Sequence, residues 1–333
     1  MIGLHVNNKR NYTKGSAPSW AHPFLPRRSV SMKRVAHWWT EERRAYLLLV
    51  LPAVAVYWAV MAFPTVFSFI LSLTSYNGGP IFNNPNIQLV GFTHYIRMFK
   101  DQYFWISLKN NGLIMAVSVF GQIPLGFLFA YVIHRKLVRF GDFFQTIIYL
   151  PCVISTIIVG RLWQSFFSPY GPFTEFMQKL QPGWENELFF DPNLAILPVL
   201  FVILWMYTGT YMIIFLANLQ KIDPALIEAA RIDGATEWQV LIRIMLPALS
   251  GVIVTACILA ISGSLKSFDL LYAMTGGNPA RRTSVLALYM YDNAFRHSPK
   301  YPLANAISVF MVLLSFALIL MVRFTEAKFG GRE

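Results

Sequence analysis

Charge is scarce in this chain: 13% of its 333 residues are charged, against about 25% in an average soluble domain. Acidic residues are scarcest, with 16 Asp and Glu against 28 Lys and Arg, a net charge of +12. There are two cysteines, Cys152 and Cys257. Both lie in apolar segments without metal-ligand spacing, so they read as small hydrophobes rather than as a disulfide or metal site. No Gly-x-x-x-x-Gly-Lys-Ser/Thr phosphate loop occurs, nor any Gly-Lys pair, which excludes a phosphate-loop ATPase. Metalloprotease and lipase signatures are also missing. What is present is apolar: 56% hydrophobic residues and a mean hydropathy of +0.48. A soluble nucleic-acid binder could share the basic charge, but not uncharged runs of membrane length from which the basic residues are excluded.

A hydrocarbon core about 30 Å thick is crossed by roughly 20 helical residues. Six runs qualify: Ala45–Leu73, Gly112–Ile133, Phe143–Phe167, Leu194–Ala217, Leu249–Leu265 and Leu303–Val322. Backbone polar groups find no water in lipid, so the runs must be helical, and they are too long for the ten-residue alternation of a membrane barrel. The expected fold is therefore an all-α membrane protein with six transmembrane helices spread over residues 45–322. Residues 1–44 form a basic tail and 323–333 a short C-terminal one. The first apolar run is too long, and begins too late, for a cleavable signal peptide. Six crossings put both termini on one side. With the N-terminus inside, inner segments carry eighteen Lys and Arg and outer ones eight, nine of the eighteen lying in the tail. That bias makes both termini cytoplasmic, together with the segment 218–248 between the fourth and fifth spans.

The 218–248 segment carries unusually complete helix punctuation. Asp223-Pro224 supplies an N-cap followed by proline at the first helical position. Gly234 suits the left-handed turn that ends a helix, and Thr236 with Gln239 forms a capping box that starts another. Pro247 stands near the start of the fifth span. The product is helix, turn, helix. Ala229 and Ala230 let a second protein approach the first helix closely, Glu228 offers it a carboxylate, and Ile227 with Ile232 offers apolar contact.

The pattern Glu228-Ala229-Ala230, three residues, Gly234, nine residues, Ile244-x-Leu246-Pro247 resembles the signature cytoplasmic loop of permease subunits in binding-protein-dependent ABC importers. The resemblance runs from about Ala45 to the C-terminus and is to the maltose-type carbohydrate-uptake group. Tyr149-Leu150-Pro151, Trp163, the stretch Met274 to Pro279 with Thr283, Tyr289 to Phe295, and Ala304 with Ala306 also carry it. Asn278 interrupts the usual Gly-Gly-Pro, and Arg281-Arg282 is unusually basic. The tail 1–44 is not covered.

The resemblance implies a type I importer fold and a non-catalytic subunit of the bacterial inner membrane. It implies that the loop, through Glu228, Ala229, Ala230, Asp233, Gly234, Ile244, Leu246 and Pro247, seats on a cytoplasmic ATPase dimer. ATP and Mg would be bound there, with no cofactor or metal in this chain. A second permease subunit, identical or related, completes the path, and an extracytoplasmic binding protein delivers the sugar or oligosaccharide.

Polar groups at membrane depth usually face a cavity or the bundle interior, which makes Gln122, Arg161, Gln164, Thr208, Ser262 and Lys266 candidates for the solute path. Trp205, Tyr207 and Tyr211 could offer rings to sugar faces. Val254, Ile258, Ser262 and Lys266 recur at i+4, and Lys266 can pair with Asp269. Arg161, Lys266, Arg281 and Arg282 would suit an acidic oligosaccharide. Two other readings remain: a permease of the same kind for glycerol phosphate or another polyol derivative, and an ion-driven secondary transporter. The latter calls for inverted repeats or Gly/Pro-broken spans, and neither is evident.

Overall fold

The computed structural model describes residues 41–80, 87–296 and 298–329. The tail 1–44 therefore lies almost wholly outside the described residues. The described residues fall into two compact units, divided between Tyr57 and Trp58. In the first, α1 (Glu41–Tyr57) contains Pro52 and exposes every residue from Tyr46 to Tyr57.

The second unit starts with a π-helical turn, Trp58–Ala62, leading into α2 (Phe63–Ser72). After the short α3 (Thr93–Lys100), α4 (Gln102–Val117) and α5 (Ile123–His134) continue one another through a second π turn, Ser118–Gln122. Together they make a 33-residue helix. α6 (Gly141–Val153) and α7 (Thr156–Phe166) follow, then α8 (Pro172–Leu180) and the 24-residue α9 (Ile196–Leu219). α10 (Pro224–Ile232) and α11 (Glu237–Val240) come next, with a third π turn, Leu241–Met245, joining α11 to α12 (Leu246–Ala248). α13 (Ser250–Leu265), α14 (Asp269–Met274), α15 (Leu286–Phe295) and α16 (Tyr301–Phe329) complete the chain. Its only non-helical pairing among the described residues is an isolated bridge between Thr74 and Leu89.

All three π turns end two residues before a proline: Pro64, Pro124 and Pro247. Proline has no N–H to give, and its ring collides with the carbonyl four residues back. Widening the helix by one residue just ahead of the ring relieves both problems, and at Pro64 and Pro124 the helix runs on.

Four helices are long and apolar enough to cross a membrane: Tyr46–Ser72, Gln102–His134, Ile196–Leu219 and Tyr301–Ala327. Two bent pairs, α6 with α7 and Glu237–Ala248 with α13, bring the number to six if each is one crossing. The expected straight span Phe143–Phe167 is thus corrected to two helices at 96°. Pro151 weakens the last turn of α6, Ile154 is extended, and Ser155 starts α7 afresh. With 11 residues, α7 is about 16 Å long, too short to cross alone. A second break, of 65°, falls at Leu249. Spans broken near proline, not evident from the sequence, are therefore present.

α9 is the axis of the unit, buried at Val199, Val202, Met206, Met212, Phe215 and Leu219. Small residues bring its neighbours close, as lipid-embedded packing favours. A Cβ on Gly126 of α5 would lie 2.7 Å from Tyr211 Cβ, and one on Gly209 would run into the backbone of Ile148 and Tyr149 in α6. Gln122 Nε2 donates to Ile203 O at 2.6 Å across the same contact.

Polar staples tie α4 to α13 and to the segment before and within α15. Asn110 Nδ2 donates to the carbonyls of Arg282 and Ser284, both at 2.7 Å. Asn111 Nδ2 donates to Ser264 O at 2.7 Å, and its Oδ1 accepts from Leu286 N at 2.8 Å. Tyr289 donates to Asp101 Oδ2 at 2.5 Å, and burial with this carboxylate bond pushes its phenol well above the usual range.

Candidate coupling surface and central cavity

The 224–248 segment is seated by three devices. Asp223 Oδ1 accepts from Ala225 N at 2.9 Å and starts α10. At the other end Ala235 N donates to Ala230 O at 2.9 Å and Gly234 N to Arg231 O at 3.0 Å. That pair of bonds closes the helix on a left-handed residue, and Gly234 has φ +82°. The capping box opens α11, with Thr236 Oγ1 accepting from Gln239 N and Thr236 N donating to Gln239 Oε1. The second device is apolar: Ile227 is 7% exposed and joins Leu219, Val240, Met245 and Leu249 in one buried cluster. The third is ionic. Glu237 pairs with Arg231 at 3.0 Å and with Arg135, which follows α5.

Glu228, Ala229, Asp233, Gly234 and Pro247 face solvent, while Ala230, Ile244 and Leu246 are half-buried. Ile227 was expected on this contact surface and is instead an internal anchor, because i+3 and i+4 spacing aims it with Ala230 at the bundle. Ile232 is 86% exposed, and Trp238 and Leu226 are also exposed. The free face of the segment is therefore apolar and flanked by two carboxylates, Glu228 and Asp233.

A cleft of about 290 Å³ opens between α4, the second π turn, α7, α9 and the end of α13. It is lined by Gln122, Tyr207, Tyr211 and Lys266 from the sequence candidates. Arg161, Gln164, Trp205, Thr208 and Ser262 do not line it. Arg161 donates to Gln164 Oε1 at 2.9 Å on the exposed side of α7. Trp205 packs edge-on against Trp163, ring centres 5.3 Å apart. Thr208 returns its hydroxyl to Leu204 O at 2.5 Å. Ser262 lies off the cleft face of α13, which carries Leu259, Ala260, Gly263 and Ser264, while Lys266 follows the end of α13 at Leu265 and so leaves the i+4 row on which it was placed.

The family described as binding-protein-dependent transport system inner membrane component matches residues 122–330. The chain belongs to this family. Among similar proteins is a probable ABC transporter permease protein of Pyrococcus horikoshii, 30% identical over 86% of this chain and 96% of that one. The lactose transport system permease protein LacF of Rhizobium radiobacter is 32% identical over 84% of this chain and 93% of that one. A crystal structure of a bacterial alginate ABC transporter, with an alginate pentasaccharide-bound periplasmic protein, superposes with a TM-score of 0.75 at 23% identity. It covers 88% of this chain and 98% of that one. The fold is that of a type I ABC importer permease.

For a transport-system inner membrane component, the cleft's chemistry is informative. Thr156, Thr210, Ser118, Ser267, Phe268 and Asp269 line it besides the expected residues. Thr156 was hidden because it follows the unforeseen break in the third span. Thr210 could have been found: Ile203, Tyr207, Thr210 and Tyr211 follow the i, i+4, i+7, i+8 face of α9. Lys266 and Asp269 form no ion pair with each other among the described residues, and both face the cleft. Arg281 instead stacks over Tyr103 at 5.1 Å. No cluster of metal-ligating side chains occurs among the described residues.

Proposed function

We propose that this permease forms half of the path by which an ATP-driven importer takes up a sugar or oligosaccharide. The observation that carries the sugar assignment is the cleft itself. Tyr207, Tyr211 and Phe268 offer rings to the C–H faces of a pyranose, while Gln122, Thr156, Thr210, Ser267, Lys266 and Asp269 offer donors and acceptors to its hydroxyls. Sites for organic solutes combine an apolar wall with a few placed polar groups in this way. The relative named for lactose supports the same class. Lys266 and Asp269 both line this cleft, which suits a neutral sugar; an acidic one rests on Lys266 alone.

In this reading the 224–248 segment lies on the cytoplasmic side and meets a separate ATPase dimer, which binds ATP and Mg. Glu228, Ala229, Ala230, Asp233 and Gly234 make the contact, and Ile244, Leu246 and Pro247 pass its motion into α13. A rigid seat suits that task, because ATP can drive uptake only if the motor favours one permease conformation over another. A second, related permease supplies the other half of the path, and an external binding protein delivers the solute.

The test is purification of the complex from its own membranes. We expect this chain to copurify with an ATPase and a second permease, and hydrolysis to rise when a loaded sugar-binding protein is added. A chain that purifies alone and takes up solute on an ion gradient sinks the proposal.

A further inference from the structure

Four rings lead away from the cleft. Phe268 lines it and stacks on Tyr272 with centroids 5.3 Å apart and planes 18° from parallel. Tyr291 of α15 lies 5.2 Å from Phe268 and 5.7 Å from Tyr272, and Phe295 lies 5.3 Å beyond Tyr291. Phe268 and Tyr291 are half-buried and rest on the core, while Tyr272 is 37% and the last ring, Phe295, 69% exposed. A core cluster would close over its last member. Polar groups border the rings. The Arg296 guanidinium stands 5.7 Å from the Tyr272 ring centre and 6.0 Å from that of Tyr291, and pairs with Asp292 at 3.2 Å.

We infer that Phe268, Tyr272, Tyr291 and Phe295, with Arg296 at their edge, form an approach track along which an oligosaccharide chain lies as its leading unit enters the cleft. The inference rests on the sugar reading above. The occupant follows from the surface. A carbohydrate presents C–H faces that suit successive rings and hydroxyls that suit a guanidinium held by a carboxylate. A lipid chain would use the rings and leave the Arg296–Asp292 pair facing hydrocarbon, a costly placement. The track is continuous with the cleft because Phe268 belongs to both. It adds to the proposed function a selection by chain length: a disaccharide is held in the cleft, whereas a longer chain also occupies the rings.

The experiment uses the assembled complex in vesicles, supplied with its binding protein. Probes are disaccharides and tetrasaccharides of the α-1,4-glucan, β-1,4-glucan and β-1,4-xylan series. Phe295→Ala should lower the saturated uptake rate of the transported tetrasaccharide roughly threefold to tenfold, the worth of one aromatic contact, and leave the disaccharide within about twofold. Phe295→Trp and Tyr272→Phe should keep the wild-type ratio. Equal losses for both lengths, no loss, a wild type that accepts disaccharides only, or a Phe295→Ala chain that no longer assembles each overturns the track while leaving the sugar reading intact. A wild type that takes up none of the probes overturns both.

Discussion

Gly209 has no room for a methyl group. A Cβ there would meet the backbone of Ile148 and Tyr149, which cannot swing aside as a side-chain tip can. Gly209→Ala should therefore push α6 off α9 and destabilise the chain by about 1–3 kcal/mol, the usual cost of overpacking. Gly112, exposed in the middle of α4 with nothing within 4 Å of an added Cβ, is the control. Gly112→Ala should be neutral or stabilising by up to about 1 kcal/mol, since glycine weakens a helix interior. Thermal unfolding of both variants in one detergent checks the sign; equal melting temperatures would refute the close-packing argument. Residue types alone could not rank these two glycines, because the difference lies in what another helix brings to each. The same holds for the cleft. Polarity at membrane depth picked out Gln122 and Lys266, but also Arg161, Gln164 and Ser262, whose directions depend on a break in one helix and on which face another turns to the bundle.

At the scale of the element, punctuation was the most legible feature. Asp223, Gly234 and Thr236 act at the places where their types predict, since capping is local chemistry. The bends were not legible, because proline in a membrane helix has several outcomes. Pro64 and Pro124 each follow a π turn and leave the helix running, whereas Pro247 follows one and its helix ends at Ala248, at the 65° break. Pro151 instead stands two residues before the end of α6. What differs is the following sequence: Ile154-Ser155-Thr156 offers a β-branched residue and a capping type at the point of release. The capping box invites a direct test. Thr236→Ala removes the hydroxyl that accepts from Gln239 N and should cost about 1 kcal/mol locally. Hydrogen exchange at the first amides of α11 should quicken about fivefold, while α9 and α13 keep their protection. Unchanged exchange would mean that the Glu237 pairs and the buried Val240 hold the segment without its cap.

At the scale of the whole molecule, charge and helix count together bear on which way the permease faces. Inner segments hold eighteen Lys and Arg against eight, but without the N-terminal tail the difference is nine against eight. Orientation thus leans on the N-terminal tail, because insertion reads charge next to the first span. The helices add a constraint that charge does not supply. Gln181, in the segment before α9, and Thr236, after it, are both exposed and separated by a single 24-residue apolar helix. They must lie on opposite sides if α9 crosses. Both native cysteines are free and half-buried, so Cys152→Ser with Cys257→Ser gives a silent background. In it, Gln181→Cys should react with a membrane-impermeant maleimide on intact cells, and Thr236→Cys only after lysis. The reverse pattern would place the coupling segment outside, beyond reach of any cytoplasmic ATPase. Labelling of both from outside would deny α9 its crossing and with it the six-span count.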